Sequence, residues 1–211
     1  MWRKLHQTLA RHVRDQLTVY LVVVLAFAAG VTVGGLAVRL LDETQVKELN
    51  EYFFGFVDYL AGQQSVDQGV IFQKALAQNA RFVLALWLCG NLFFGFILIL
   101  ALLFYRGFTI GFTVGFLAKE SELHGVFFAA ASVLPQNLLY VPASLLAAGC
   151  AVIFSLLLLR RRFTGKDFPY GTYFTQYTLL ILLAALILAV GVVVEAVITP
   201  VFMRAVAGVL Q

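Results

Sequence analysis

Charge is scarce in this sequence. Asp, Glu, Lys and Arg make up 12% of its 211 residues, against 62% for the apolar types. Soluble domains carry about 25% charged and about 45–50% apolar residues. A chain of this size could not bury such an excess in one core, which excludes a water-soluble fold. Cysteine is almost missing: Cys89 and Cys150 both fall inside apolar runs, which leaves no disulfide framework and makes small buried hydrophobes of them. Catalytic signatures are missing too. There is no His-Glu-x-x-His, Cys-x-x-Cys, Gly-x-Ser-x-Gly or Walker loop, and His6, His12 and His124 have no metal-ligand spacing to an acid or a cysteine. The nearest titratable group, Glu120, Glu122 and His124, reads as a solvated turn. The residues therefore predict no catalytic, cofactor or metal site, and no enzyme.

Long apolar runs are what the chain does have. Its mean hydropathy is +0.92, and several runs reach the roughly 18–20 residues that span a bilayer. They do not alternate polar and apolar positions as barrel strands do. The fold class is all-α: a polytopic helical membrane protein with the lipid bilayer as its solvent and 1–211 as a single integral membrane domain. The pI of about 9.2 does not indicate nucleic acid, because the positive charges sit beside apolar runs, where they set topology.

Arg3, Lys4, Arg11 and Arg14 precede the run Leu17–Val38. An Ala-x-Ala pattern at 26–29 resembles a cleavage site, but the run continues far enough to span, which predicts an uncleaved first helix with a cytoplasmic N-terminus. The one sizeable polar segment, 41–81, holds six acids against three bases and is assigned to the extracytoplasmic side. Within it Val46, Leu49, Phe53, Phe56, Val57 and Leu60 recur at helical spacing, the pattern of an amphipathic helix at the membrane surface or on top of the bundle.

Residues 82–105 are expected to form the second span, ending at a cytoplasmic Arg106, with Asn91 bonded to a neighbouring helix or to backbone. The third element, Gly107–Ala118, is only about 18 Å long at 1.5 Å per residue. After "KESELHG" comes a run from Val126 to Leu159 interrupted by Pro135 and Pro142, where a helix should break or kink. Placing Arg160, Arg161, Arg162 and Lys166 in the cytoplasm makes 107–123 a crossing and 126–159 a short oblique piece followed by a span. The last run, Tyr173–Pro200, brings the count to about five transmembrane helices with a broken central segment and an extracytoplasmic C-terminus.

Two sets of residues invite a structural reading. Glu195 is an expensive carboxylate inside "AVGVVVEAVITP", and Arg39 or Arg81 is its expected partner in an outer-leaflet ion pair. Gly107, Gly111 and Gly115 lie four apart and form a bare strip on one helix face, suited to close helix packing. The strip serves a contact within the chain or between copies, hence a homo-oligomer, equally well.

"RGFTIGFTVGFLAKE" followed by "GVFFAAASVLPQNLLYVPASLLAAG" resembles the stage II sporulation protein M family, with "LPQNLLYVPA" the most specific part. Its motif positions here are Pro135, Gln136, Asn137, Tyr140 and Pro142. Broader relatives show a His–Gly pair and an acid in this segment. Gln136, Asn137 and Tyr140 take those places here, as in the spore-forming branch, so a function needing the acid or the histidine does not carry over. The resemblance implies a non-enzymatic scaffold required for engulfment, located at the forespore septum and the mother-cell engulfing membrane. Its implied partners are the peptidoglycan-degrading stage II sporulation proteins D and P. The alternative is a transporter or permease-like component with Asn91, Gln136 and Asn137 lining a polar path.

Overall fold

A computed structural model describes residues 16–61, 68–120, 122–164 and 169–207. The basic residues before 16, with His6 and His12, lie outside the described residues. So do the side chains of Phe53, Phe56, Val57, Leu60, Glu120, Glu122 and His124. Everything described is helical apart from short connections: α1 (Leu17–Ala37), a 3-10 turn (Val38–Leu40), α2 (Glu43–Ala61), α3 (Gln68–Gly90), α4 (Gly95–Glu120), α5 (Glu122–Thr164) and α6 (Tyr170–Ala207). Four stretches are long and apolar enough to cross a membrane: Leu17–Leu40, Gly95–Lys119, Val133–Phe163 and Tyr170–Thr199. Their outward faces carry bare apolar side chains such as Leu21, Leu25, Ile97, Leu182 and Leu186. A helix that is apolar all round needs lipid on one side. The chain is an all-α polytopic membrane protein.

Small residues set how α1 meets α4. A Cβ added at Gly107 would strike the Phe27 carbonyl oxygen, and one at Gly111 the Val31 carbonyl oxygen. In return, a Cβ at Gly30 would strike the Phe104 carbonyl and one at Gly34 the Phe108 carbonyl. At Gly115 the nearest atom is the Gly35 Cα, at 3.0 Å. Two glycine rows are thus apposed backbone to backbone, the close approach that builds dispersion contact where lipid gives no hydrophobic drive. The pairing runs in order, 27 with 107 and 35 with 115, so α1 and α4 are parallel.

The interruption between α3 and α4 falls at 91–94, not at Arg106. Asn91 and Leu92 turn the chain by bonding back to Leu88 O and Cys89 O at 3.1 and 3.0 Å. Gly95 is needed because any Cβ there would meet the Cys89 carbonyl. Ser155 of α5 locks the turn from outside: its hydroxyl accepts the Phe96 N–H at 3.0 Å and donates to Leu92 O at 2.8 Å. The expected span 82–105 is therefore split, and its second half continues through Arg106 into the glycine strip as one 26-residue helix. The helix does not end at the prolines: both Pro135 and Pro142 sit inside the continuous helix α5.

Contacts between named residues give the remaining directions. Phe96 meets Ser155 and Arg106 lies over Tyr140, which makes α5 antiparallel to α4. Phe154 stacks on Tyr177 at 4.5 Å between ring centroids, while Tyr140 reaches Glu195, so α6 is antiparallel to α5. α3 carries Lys74 and Arg81 and is the fifth long helix, about 34 Å at 1.5 Å per residue. It lies against α6, with the Trp87 indole N–H donating to Thr178 Oγ1 at 3.2 Å. One end of the bundle thus gathers Leu17, the 91–94 turn, Arg160–Arg162 and Tyr170. The other gathers Leu40, Lys119 and Thr199. At that second end, Asp42 stands just before α2 and its N–H is held by Gln45 Oε1 at 3.2 Å, half of a capping box.

Candidate functional site

Four helices bring one polar side chain each to a single place. Arg106 stands near the middle of α4, and its Nη2 donates to Asn79 Oδ1 of α3 at 2.9 Å. The same guanidinium lies over the Phe82 ring, 4.4 Å from its centroid, and 5.3 Å from the centroid of Tyr140 of α5. Tyr140 donates its hydroxyl to Glu195 Oε2 of α6 at 2.6 Å. Arg106 and Glu195 attract one another electrostatically. Tyr140 and Asn79 are buried; Arg106 and Glu195 are half-buried.

Local sequence supports this placement. Gly191, one turn before Glu195, leaves room for the Tyr140 ring, whose Cδ1 stands 2.7 Å from where a Cβ would be. Asn79 Nδ2 bonds back to Ala75 O at 2.9 Å, which fixes the amide so that its oxygen faces Arg106. A second bond lies nearby, from Thr199 Oγ1 to Gln136 Oε1 at 3.0 Å. A charge at bilayer depth costs about 2.5–3.5 kcal/mol even on the lenient insertion scales. Sharing Arg106 among an amide, two aromatic faces and a carboxylate offsets that cost. The cluster ties α3, α4, α5 and α6 together and leaves its polar groups bonded to one another. Among the described residues, no three His, Cys, Asp or Glu side chains converge as metal ligands.

The predicted residues fall as follows. Gly107, Gly111 and Gly115 face α1. Of the motif positions, Tyr140 and Gln136 join α5 to α6, Asn137 Nδ2 bonds to Val133 O of its own helix at 2.7 Å, Pro135 is half-buried and Pro142 is exposed. Asn91 likewise bonds to its own helix, at Trp87 O, 2.7 Å. Glu195 does not pair with Arg39 or Arg81: both arginines are exposed, and neither forms an ion pair among the described residues. The reason is position. Arg106 is carried into the bundle by an unbroken α4, and Tyr140 brings the carboxylate to it. Sequence reasoning missed Arg106 and Asn79. The available signal was "FILILALLFYRGFTIGFTVGFL", an apolar run with one arginine in its middle, which reads as a single span once Arg106 is not taken for its end.

Beside the cluster, α3 and α6 enclose a laterally open groove of about 380 Å³. Ala80, Ala185 and Ala189 line it together with Leu76, Leu84 and Leu182. Next to the groove α3 exposes Lys74, Gln78 and Arg81, spaced i, i+4 and i+7 along one helix face.

A glycine-apposed pair of helices, a polar clamp joining four helices and apolar outer faces define a polytopic integral membrane protein with a fixed helical bundle. The Stage II sporulation protein M family model matches residues 23–200, most of the chain from the first turns of α1 to Pro200 of α6. The chain belongs to that family, a sporulation family of membrane proteins. Comparison with curated proteins and with solved structures finds no match.

Proposed function

We propose that the chain is a non-enzymatic membrane scaffold of endospore formation. In this reading it is required for engulfment, where it anchors and localises the peptidoglycan-degrading stage II sporulation proteins D and P at the septal and engulfing membrane. The observation that carries the proposal is the family match over 23–200, in which the motif residues Gln136 and Tyr140 are spent on joining α5 to α6. A bundle locked in this way suits holding others in place.

The orientation belongs to the same proposal. Arg160, Arg161 and Arg162 share an end with the start of α1, so the positive-inside rule puts that end in the cytoplasm. The start of α2, the start of α3 and the end of α6 then face the wall side, where wall hydrolases act. A transport role has weaker support, since Asn91 and Asn137 bond to their own helices and Gln136 accepts from Thr199.

The test is purification of the tagged chain from sporulating cells, with mass spectrometry of what accompanies it and imaging of the engulfing membrane. The wall hydrolases should co-purify, and their septal signal should disperse when the chain is deleted. Normal engulfment and normal hydrolase placement in the deletion strain would overturn the proposal. Removal of 41–60 then asks whether α2 is the recruiting surface.

A further inference from the structure

We infer that the outward face of α3 seats a membrane-spanning helix of another protein, one that brings a carboxylate to the depth of Arg81. This adds a contact surface to the scaffold reading and rests on it only in taking the chain to have a partner within the membrane.

Depth comes first. Arg106 is eleven residues beyond Gly95 and thirteen short of Lys119, the ends of a stretch long enough to span. Asn79 bonds to its guanidinium, so Asn79 lies within one side chain's reach of mid-span. Arg81 is two residues further along α3, about 3 Å of axial rise. Yet Arg81, Gln78 and Lys74 are all exposed. Lys74 lies near the start of α3 and can extend its head group outward, whereas Arg81 is thirteen residues from that end and nine from Gly90, about 13 Å of axial rise to the nearer one. Cations left facing hydrocarbon at this depth are rare, and normally pair or face a protein interior.

Shape comes second. Leu84 is three residues from Arg81, about 60° round the helix, and already lines the α3–α6 groove. A helix laid over Leu84 therefore touches the groove on one side and Arg81 on the other. The alanines of the groove, Ala80 below it on α3 and Ala185 and Ala189 one turn apart on α6, let another backbone come close.

Charge decides the occupant. Among the described residues, Glu195 is the one carboxylate within the four apolar spans, and Tyr140 and Arg106 already engage it. A second copy would therefore bring Arg81 and Lys74 against their like. A partner helix with an Asp or Glu at mid-span supplies what this face lacks.

The experiment places a photo-crosslinking benzoylphenylalanine at Gln78 of the full chain in membranes of sporulating cells. The expected product joins residue 78 to a membrane-spanning segment of another protein, mapped by mass spectrometry to within a turn of an Asp or Glu. Arg81→Glu should lower its yield by about tenfold or more through like-charge repulsion. Changing the mapped carboxylate to Lys should restore it. Should Arg81→Glu fail to fold, Arg81→Leu carries the test, with a several-fold loss expected from a chain that still elutes as a single species in detergent. Label on phospholipid alone, on a second copy of this chain or on a segment without a carboxylate overturns the inference, as does an unchanged yield in the Arg81 variants. Hydrolase placement is scored separately by imaging, so an intact crosslink with undisturbed hydrolases counts against the scaffold and leaves this surface standing.

Discussion

Tyr140 donates its hydroxyl to Glu195 Oε2 at 2.6 Å while the guanidinium of Arg106 lies over its ring. One residue thus serves both charges of the cluster, and the two charges depend on each other through it. Removing one partner of a buried pair costs about 3–5 kcal/mol, because the other is left uncompensated. Arg106→Ala and Glu195→Gln should each destabilise the chain strongly in mixed-micelle unfolding. Arg106→Met combined with Glu195→Gln should lose clearly less than the sum of Arg106→Met and Glu195→Gln, with a coupling of about 0.5–3 kcal/mol. Additive losses would show that the two charges do not communicate.

The glycine seam makes a sharper steric prediction. Gly111→Ala sets a methyl group against the Val31 carbonyl and should cost about 1–3 kcal/mol by overpacking. Gly171→Ala meets nothing within 4 Å and should leave the melting temperature in detergent almost unchanged. Equal melting temperatures for the two variants would contradict the apposed backbones.

Gly90 and Tyr177 should behave as one unit. Tyr177 Oη donates to Leu86 O and Trp87 O at 3.1 and 2.9 Å, near the end of α3. A Cβ at Gly90 would strike that hydroxyl. Tyr177→Phe should cost about 0.5–1.5 kcal/mol by losing the hydroxyl's hydrogen bonds, yet keep the stack on Phe154. In the double variant Gly90→Ala with Tyr177→Phe the closest contact is gone and the ring Cζ at 2.8 Å remains, so the double variant should be more stable than the sum of the singles.

Ser155 holds the α3–α4 turn from outside: one hydroxyl serves both Phe96 N–H and Leu92 O. Ser155→Ala should raise hydrogen exchange at residues 92–97 well above exchange in the middle of α4. Unchanged protection there would mean the turn is held by its own backbone bonds.

The membrane fold was legible because it rests on bulk apolar composition and run length, which need no knowledge of partners. The glycine spacing of 107, 111 and 115 was equally legible, since a period of four fixes a helix face. Its mate was not, because Gly30 and Gly34 are far away in sequence and only assembly pairs them. The cluster was misread for a more specific reason. A lone arginine between apolar runs has two readings, end of a helix or buried charge, and only the position of the helix break separates them. Here the break is encoded by Gly90, Asn91 and Gly95, with Ser155 completing it from another helix. Proline was weighted too heavily. In α5 both prolines are tolerated within a helix packed on its neighbours, where freed backbone groups can be satisfied locally.

The parallel seam also sets a schedule for biogenesis. Roughly seventy residues separate the glycines of α1 from those of α4, which at about 5–20 residues per second is several seconds of synthesis. Throughout that interval the bare face of α1 is in the membrane before the helix that will cover it has left the ribosome. Lipid or an insertion factor must occupy Gly30 and Gly34 first and then yield to α4, so α1 waits for a partner made three helices later.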